Sequence, residues 1–157
     1  MTAPTPTGKT RWARWRALSA PQRRTLVLAW WLLPLVWLAL WVRGLPRLQA
    51  WLARQPLPAR AAPMPMDEVA GLGRAVNIAA RLTPFPATCL TRSLLLVWVL
   101  RRQGVASELR IGVQLRDGVF RAHAWVERDG VPVNDRADVA ADFAPFDDLG
   151  LQASFDR

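Results

Sequence analysis

The longest apolar stretch of the chain covers residues 25–42, which carry no charged side chain and lie between Arg23-Arg24 and Arg43. This run of 18 residues reaches the minimum length of a membrane-spanning helix. Four of its positions are tryptophans, which prefer the headgroup level of a bilayer to its centre, and Pro34 lies in the middle. Three interpretations stay open. The run lies in the membrane interface or on a partner, which we favour, or it spans the membrane, or it covers the rest of the protein.

The flanks of this run predict where its helix begins and where the next unit starts. Ser19 or Ala20 is a plausible cap, with Pro21 in the first turn. Residues 44–65 show a weaker helical pattern that decays into a linker rich in proline, alanine and arginine. The sequence therefore predicts two parts, a helical extension with its linker over residues 1–66 and a folded domain over residues 67–157.

Two further helices are predicted at the start of that domain. Residues 67–82 carry an apolar stripe at helical spacing, and the prolines that follow at positions 84 and 86 stop the helix. Thr88 can then cap a second helix, which is expected to run to about Gln103 and to end at Gly104.

Beyond Gly104 the apolar period changes from that of a helix to two, which is typical of strands. Strands are predicted over residues 108–115, 119–127 and 131–135, and both connections read Arg-Asp-Gly-Val. The acidic tail over residues 137–157 is expected to form a loop and a short packed helix or strand. The predicted fold class is α+β, with helices packed on a small antiparallel sheet of at least three strands.

Charge separates the two parts of the chain. The net charge is +9, yet residues 1–66 contain ten basic and no acidic residues, whereas residues 67–157 contain eleven basic and twelve acidic ones. A basic front favours an anionic surface such as a membrane. We expect no nucleic-acid partner, because the arginines flank an apolar run and do not line a polar surface.

Cysteine and histidine usage narrows the chemistry. The chain has one cysteine and one histidine, so it can form no internal disulfide and has no cluster of metal ligands. It also lacks a glycine-rich phosphate loop. We expect neither a metal nor another cofactor.

Cys89, His123 and Asp135 follow one another in an order that suits a nucleophile, a base and an orienting carboxylate. Cys89 falls in the first turn of a predicted helix, where unpaired amides and the helix dipole stabilise a thiolate. Its own amide could donate to an oxyanion, and Arg92 would add positive charge if it leans back. The alternative is that Cys89 is a small, inert, buried side chain.

The turn between the second and third strands tests this hypothesis. A three-residue loop over residues 128–130 would pair Glu127 with Val131 and bring His123 opposite Asp135. A two-residue loop would instead pair Ala124 with Asp135 and put His123 on the other face. The catalytic hypothesis therefore predicts the three-residue loop.

Four motifs in this region resemble a known family. They are Cys-Leu-x-Arg-Ser-Leu at 89–94, Leu-Arg-Arg-Gln-Gly at 100–104, Ile-Gly-Val at 111–113 and Ala-His-Ala-Trp-Val-Glu at 122–127. Together they are similar to the leader peptidases of lasso-peptide biosynthesis, which belong to the transglutaminase-like cysteine proteases. The resemblance covers roughly residues 67–146. It implies a papain/transglutaminase-like core with Cys89 as nucleophile, His123 as base and Asp135 as carboxylate. Asp138 lies nearby and is the other acidic residue that could match the carboxylate position.

The resemblance also implies partners and a place in the cell. Residues 1–66 show no sign of a fused leader-recognition domain, so we expect the split form of the family. In that form a separate recognition protein delivers the lasso precursor, and an ATP-dependent cyclase closes the ring. Since the cyclase needs ATP, the protein is expected in the cytoplasm, in part at the inner face of the cell membrane. A single span would then place six basic residues outside, against the positive-inside tendency.

The expected function is leader cleavage by a cysteine endopeptidase. Two alternatives stay open: acyl transfer or amidase activity on the same three residues, and a membrane-associated scaffold in which Cys89 is inert.

Overall fold

The computed structural model describes residues 15–116 and 118–145. Four longer helices come first: α1 (Ala20–Arg43), α2 (Leu45–Arg54), α3 (Met66–Leu82) and α4 (Cys89–Arg102). Strands β1 (Glu108–Arg116), β2 (Val119–Arg128) and β3 (Val131–Pro132) follow, then a short helix α5 (Val139–Asp142) and strand β4 (Ala144–Pro145). The strands form one antiparallel sheet in the order β3-β2-β1-β4. The predicted α+β class is confirmed.

Local capping explains where α1 begins and ends. The Ser19 side chain accepts from the Gln22 amide, and the Gln22 side chain accepts from the Ser19 amide, so the two residues form a capping box. At the other end Gly44 has a φ of +73°, a conformation that glycine adopts at little cost. The chain turns there directly into α2.

Helix α1 contributes to the same hydrophobic core as the rest of the protein. Its Leu26, Ala29 and Leu33 are buried against residues of α3 and α4, and the cluster continues to Val126 and Val133 at the sheet. One face of α1 thus covers the body of the protein, as one of the three interpretations proposed. The boundary near residue 66 stays a prediction, although this core joins the two sides of it.

The other face of α1 is exposed, and the helix is long and apolar enough by length and composition to cross a membrane. It is the one helix with that property in the part of the chain that the structure describes. Sequence periodicity does not distinguish the two faces, because both are apolar.

The hairpin between β2 and β3 differs from the prediction. Arg128 pairs with Val131 and Glu127 with Pro132, so the loop has two residues and not three. Asp129 and Gly130 both have positive φ, 52° and 75°, as a two-residue turn of this kind requires. The Asp-Gly pair supplies that conformation, and β3 ends after two residues. The expectation of a strand over 131–135 was therefore too long.

The acidic tail forms the expected short elements as far as the structure describes it. Val139 is buried, and β4 pairs with Gly112 and Val113 of β1. The apolar residues Phe146, Leu149 and Leu151 lie outside the described residues.

Candidate active site

Cys89 is the first residue of α4, as predicted. Thr88 caps the helix: its Oγ1 accepts from the Thr91 amide at 3.2 Å and lies 2.9 Å from the Thr91 hydroxyl. The first amides of a helix have no acceptor within it, so the amide of Cys89 can donate to a bound group. Cys89 is partly exposed. A partly exposed thiol at a helix start can act as a nucleophile.

Arg92 leans back toward the start of α4. Its Nε donates to the Thr88 carbonyl at 3.4 Å, and a terminal nitrogen donates to Asn77 Oδ1 at 3.3 Å. The guanidinium therefore adds positive charge near the end of the helix that carries Cys89, as the sequence suggested.

His123 and Asp135 are in direct contact. Nε2 of His123 lies 2.7 Å from Oδ2 of Asp135, and each side chain is about a quarter exposed. The second carboxylate oxygen of Asp135 accepts from the Arg136 amide at 2.8 Å. With both oxygens engaged, the carboxylate is fixed in orientation and fixes the imidazole in turn.

A break in the strand ladder makes this contact compatible with the two-residue turn. The Val133 amide still donates to the Val126 carbonyl at 2.9 Å, which continues the register of the hairpin. The Val126 amide, however, donates to the Asn134 side chain at 2.8 Å. In a regular ladder a backbone carbonyl would accept from the Val126 amide. The Asn134 side chain accepts instead, and the backbone pairing of the two strands ends there. Asp135 is thereby released from pairing with Ala124 and reaches His123.

Helix α3 holds this departing segment in place. The Asn77 side chain donates to the Asn134 carbonyl at 2.8 Å. One turn earlier, Gly73 lies so close to the segment that a Cβ there would come within 2.2 Å of the Val133 carbonyl oxygen. A glycine at 73 is therefore required for the close approach of α3 to the chain just before Asp135.

Ser93 links α4 to Ala124, the residue after His123, and to Asn134, the residue before Asp135. Its buried hydroxyl donates to the Ala124 carbonyl at 3.1 Å, and the Asn134 side chain donates to it at 3.2 Å. Cys89 precedes Ser93 by four residues, so the two share a helix face about 6 Å apart along the axis. The hydrogen bonds of Ser93 thus orient the Cys89 face of α4 toward β2 and the Asn134 segment.

The thiol and the imidazole are not yet in hydrogen-bond contact. Within residues 15–116 and 118–145 no hydrogen bond joins Cys89 to His123 or Asp135. Catalytic hydrogen bonds are often long in the absence of substrate and tighten in the complex. The structure therefore brings His123 and Asp135 together, and it packs the helix that begins with Cys89 against the strand that carries His123.

Aromatic rings pack against His123 on its own face of the sheet. The imidazole is centred 5.1 Å from the ring of Phe143 and 6.2 Å from that of Trp125. Trp125 donates to the buried carboxylate of Glu127 at 2.7 Å. Gly112, paired with His123, leaves room for these rings, since a Cβ there would lie 2.7 Å from Phe143 and 2.9 Å from Trp125. This packing limits rotation of the imidazole.

Arg136, the residue after Asp135, forms ion pairs with two acidic side chains outside the site. Its hydrogen bond to Asp142, together with the charges of Asp138 and Asp142, raises the pKa of the guanidinium above its ordinary value. Asp138 is exposed and lies 3.8 Å from Arg136. Of the two neighbouring aspartates, Asp135 is the one that contacts His123.

Within the described ranges, no group of three or more histidine, cysteine or acidic side chains is placed so that it could hold a metal ion.

Sequence reasoning did not identify Asn77, Ser93 or Asn134 as parts of the site. A signal for two of them was present, because Asn77 and Ser93 are uncharged polar residues next to the apolar positions of their helices. Buried polar side chains are hydrogen-bonded as a rule, so such positions indicate a specific partner. The partner itself depends on tertiary contacts.

Comparison with known proteins supports the same assignment of fold. The family model of the transglutaminase-like superfamily matches residues 29–147, from the middle of α1 past the sheet. Neither the curated proteins nor the solved structures gave a match. Because the family model covers well over half of the chain, this protein belongs to the transglutaminase-like superfamily.

Proposed function

We propose that this protein is a cysteine endopeptidase that cleaves the leader peptide from a lasso-peptide precursor before the ring is closed. The observation that carries the proposal is the His123–Asp135 contact of 2.7 Å, held beside a helix that begins with Cys89. Superfamily membership supports cysteine-based acyl chemistry. The narrower substrate class rests on the resemblance of the motifs at 89–94 and 122–127.

The first half of the reaction uses all three residues. His123 takes the thiol proton of Cys89 on Nδ1, the ring nitrogen that does not contact Asp135, and Asp135 stabilises the imidazolium. The thiolate attacks the carbonyl at the leader–core junction, and the Cys89 amide donates to the resulting oxyanion. The C–N bond then breaks, His123 protonates the leaving amine, and the core peptide departs with a free amino terminus.

The second half regenerates the enzyme. The leader remains as a thioester on Cys89. His123 removes a proton from water, which attacks the thioester, and the leader leaves with a new carboxylate while the thiolate recovers its proton. No redox partner is needed.

The partners belong to the same proposal. A separate recognition protein presents the leader, and the freed amine is the group that an ATP-dependent cyclase joins to an acidic side chain of the core. The reaction then takes place in the cytoplasm. Family members generally act after a leader whose penultimate residue is threonine, which gives the expected cleavage site.

The direct test incubates a lasso precursor, its recognition protein and this protein, and weighs the products by mass spectrometry. The expected products are intact leader and core peptide. The Cys89→Ala variant should release neither above the uncatalysed background. If that variant still releases the leader at the rate of the native protein, the proposed mechanism is wrong.

Asp135 and Asp138 form a matched pair for the third residue. Asp135→Ala should lower kcat by about 10⁴-fold, the order found when the triad carboxylate of a serine protease is removed. Asp138→Ala should change kcat by no more than about twofold, since an exposed ion pair contributes little. Comparable losses in both variants would contradict the assignment of Asp135.

Acyl transfer is the second candidate, because it uses the same thioester and the transglutaminase-like superfamily includes acyltransferases. Adding a primary amine to the reaction distinguishes the two. Hydrolysis leaves a leader carboxylate, whereas transfer leaves a leader amide whose mass includes the amine. A scaffold with an inert thiol would yield neither product, and a thiol-directed electrophile would fail to label Cys89 under native conditions.

A further inference from the structure

The face of α1 that points away from the protein is strongly apolar. Helix α1 as a whole has eight exposed large apolar side chains, and Trp31 and Trp41 are 66% and 78% exposed. We call this surface the outward face of α1 and define it by Trp31, Leu35, Leu38, Trp41 and Val42. Continuous apolar surfaces of this length are rare on soluble monomers and mark contact with a partner or a membrane.

The opposite face of α1 determines how that contact can be made. Leu26, Ala29 and Leu33 are 6%, 0% and 1% exposed and belong to the core shared with α3 and α4. A helix held along its length against a folded body cannot cross a bilayer without taking that body with it. It can, however, lie in the plane of the membrane with its outward face in the apolar boundary.

Charge and tryptophan content indicate an anionic lipid surface. Residues 1–66 contain no acidic residue, and exposed arginines lie at both ends of α1, at Arg24 and Arg43, and on α2 at Arg47 and Arg54. Basic residues beside an apolar face are attracted by anionic headgroups. Tryptophan side chains are most stable at the level of those headgroups.

A groove beside the outward face has the same chemistry. It encloses about 370 Å³ between α1, α2 and α4, and Leu35 lines both surfaces. Its lining is mostly apolar, with Arg43 and Arg102 among its residues, and the guanidinium of Arg102 lies 5.1 Å above the ring of Trp98. Apolar walls with two arginines fit an acyl chain next to a phosphate.

We propose that the outward face of α1 binds the surface of an anionic lipid bilayer, with the helix axis parallel to the membrane plane. This binding is independent of the reaction proposed for Cys89. It places the protein at the membrane through one face of α1 while the other face remains packed in the core.

Vesicle flotation tests the lipid partner. The native protein should float with vesicles of phosphatidylglycerol and phosphatidylcholine, bind phosphatidylcholine alone more weakly, and dissociate as salt rises. Trp31→Gln and Trp41→Gln should each lower the partition coefficient by about tenfold. The matched controls are Leu115→Gln and Phe120→Gln, which change side chains of similar exposure (71% and 65%) on the β1–β2 hairpin. These controls should bind as the native protein does.

Three results would overturn the proposal: no flotation of the native protein with anionic vesicles, equal losses in the α1 variants and the hairpin controls, or a stable dimer or protein complex that buries Trp31 and Trp41 and persists when vesicles are added. Circular dichroism of each variant confirms that it is folded before binding is measured.

Spin labels test the orientation. Cys89→Ala removes the one native cysteine, so single cysteines can be placed at 31, 35, 38 and 42 and labelled. In-plane binding predicts a similar immersion depth at all four positions, measured from the relative access of oxygen and a polar nickel reagent. A depth that changes steadily along these positions, or reaches a maximum between them, would indicate a span and overturn the in-plane orientation.

Discussion

Helices α1 and α4 are both apolar, yet the protein uses them differently. The buried face of α1 is formed mainly by leucine and alanine, and its outward face is exposed. Helix α4 is buried on most sides and includes Thr91 and Ser93, which are 0% exposed and hydrogen-bonded. Helix α1 is attached mainly by apolar area, with one side-chain hydrogen bond from Trp30 Nε1 to the Leu82 carbonyl at 3.3 Å. Helix α4 is attached by several directed contacts as well.

The difference follows from what each helix must position. Apolar burial stabilises in proportion to area and is not directional, so it tolerates small shifts. Hydrogen bonds weaken steeply when their distance or angle changes. The bonds of Ser93 therefore fix the rotation and height of the helix that carries Cys89, relative to the strand that carries His123. Helix α1 carries no group that needs such accuracy.

The largest effect is expected within α1 and separates its two faces. Leu33→Ala should lower the free energy of unfolding by about 2–5 kcal/mol, because it leaves a cavity in the core. Leu35→Ala, at a position 58% exposed, should change it by no more than about 0.5 kcal/mol in the absence of lipid. Urea unfolding followed by circular dichroism measures both. Equal losses would mean that α1 is not packed by the Leu33 face.

A smaller effect is expected where α3 approaches the segment before Asp135. Gly73→Ala should cost about 1–3 kcal/mol, because its Cβ meets the backbone oxygen of Val133 and the segment must shift. Cleavage should fall as well, since Asp135 moves with the segment.

Gly71→Ala is the control on the same helix. Its Cβ would meet the flexible end of the Gln22 side chain, which can move away at the loss of its hydrogen bond to the Ser19 amide. The net change in the free energy of unfolding should stay within about 1 kcal/mol, because the gain in helix propensity opposes the loss of that capping contact. Thermal unfolding and cleavage rates compare the pair, and a larger loss at Gly71 would contradict the close approach at Gly73.

The smallest effect on stability is expected at the directed contact itself. Ser93→Ala removes the hydroxyl that links Ala124 and Asn134 and should cost about 1–2 kcal/mol. The kcat of Ser93→Ala should fall by a larger factor than its fraction of folded protein, because α4 loses its fixed position relative to His123.

Ser107→Ala is the matched control, since the buried Oγ of Ser107 has no hydrogen-bond partner within the described residues. Its removal should be neutral or slightly stabilising. Cleavage rates are measured under conditions in which all variants are fully folded. A loss of kcat then reports a change in the position of α4 and not a loss of stability. If Ser93→Ala keeps the native kcat, the contact is structural only.

Much of the fold could be predicted because its signals are local. Ser19 and Thr88 cap their helices through neighbouring amides, and both starts were predicted correctly. The first and second strands follow from alternating apolar residues. Cys89, His123 and Asp135 were identified by residue type and order, and the contact of His123 with Asp135 is present as expected.

The route to that contact was predicted wrongly. The prediction extended β3 to Asp135 and therefore required a three-residue loop. The Asp-Gly turn has two residues, and the Asn134 side chain ends the ladder by binding the Val126 amide. Whether an asparagine side chain or a backbone carbonyl meets an amide depends on what packs behind it. Here Asn77 and Gly73 of α3, more than fifty residues earlier, set that position.

The sequence by itself determined the helix starts, the two long strands and the three residues of the candidate site, because capping, alternation and residue chemistry act over a few neighbouring positions. Only the tertiary structure decided which face of α1 is buried, since both faces are apolar and burial depends on what packs against them. It also decided how Asp135 reaches His123. That contact depends on hydrogen bonds of Ser93, Asn77 and Asn134 between distant segments, and such bonds exist only after those segments have packed together.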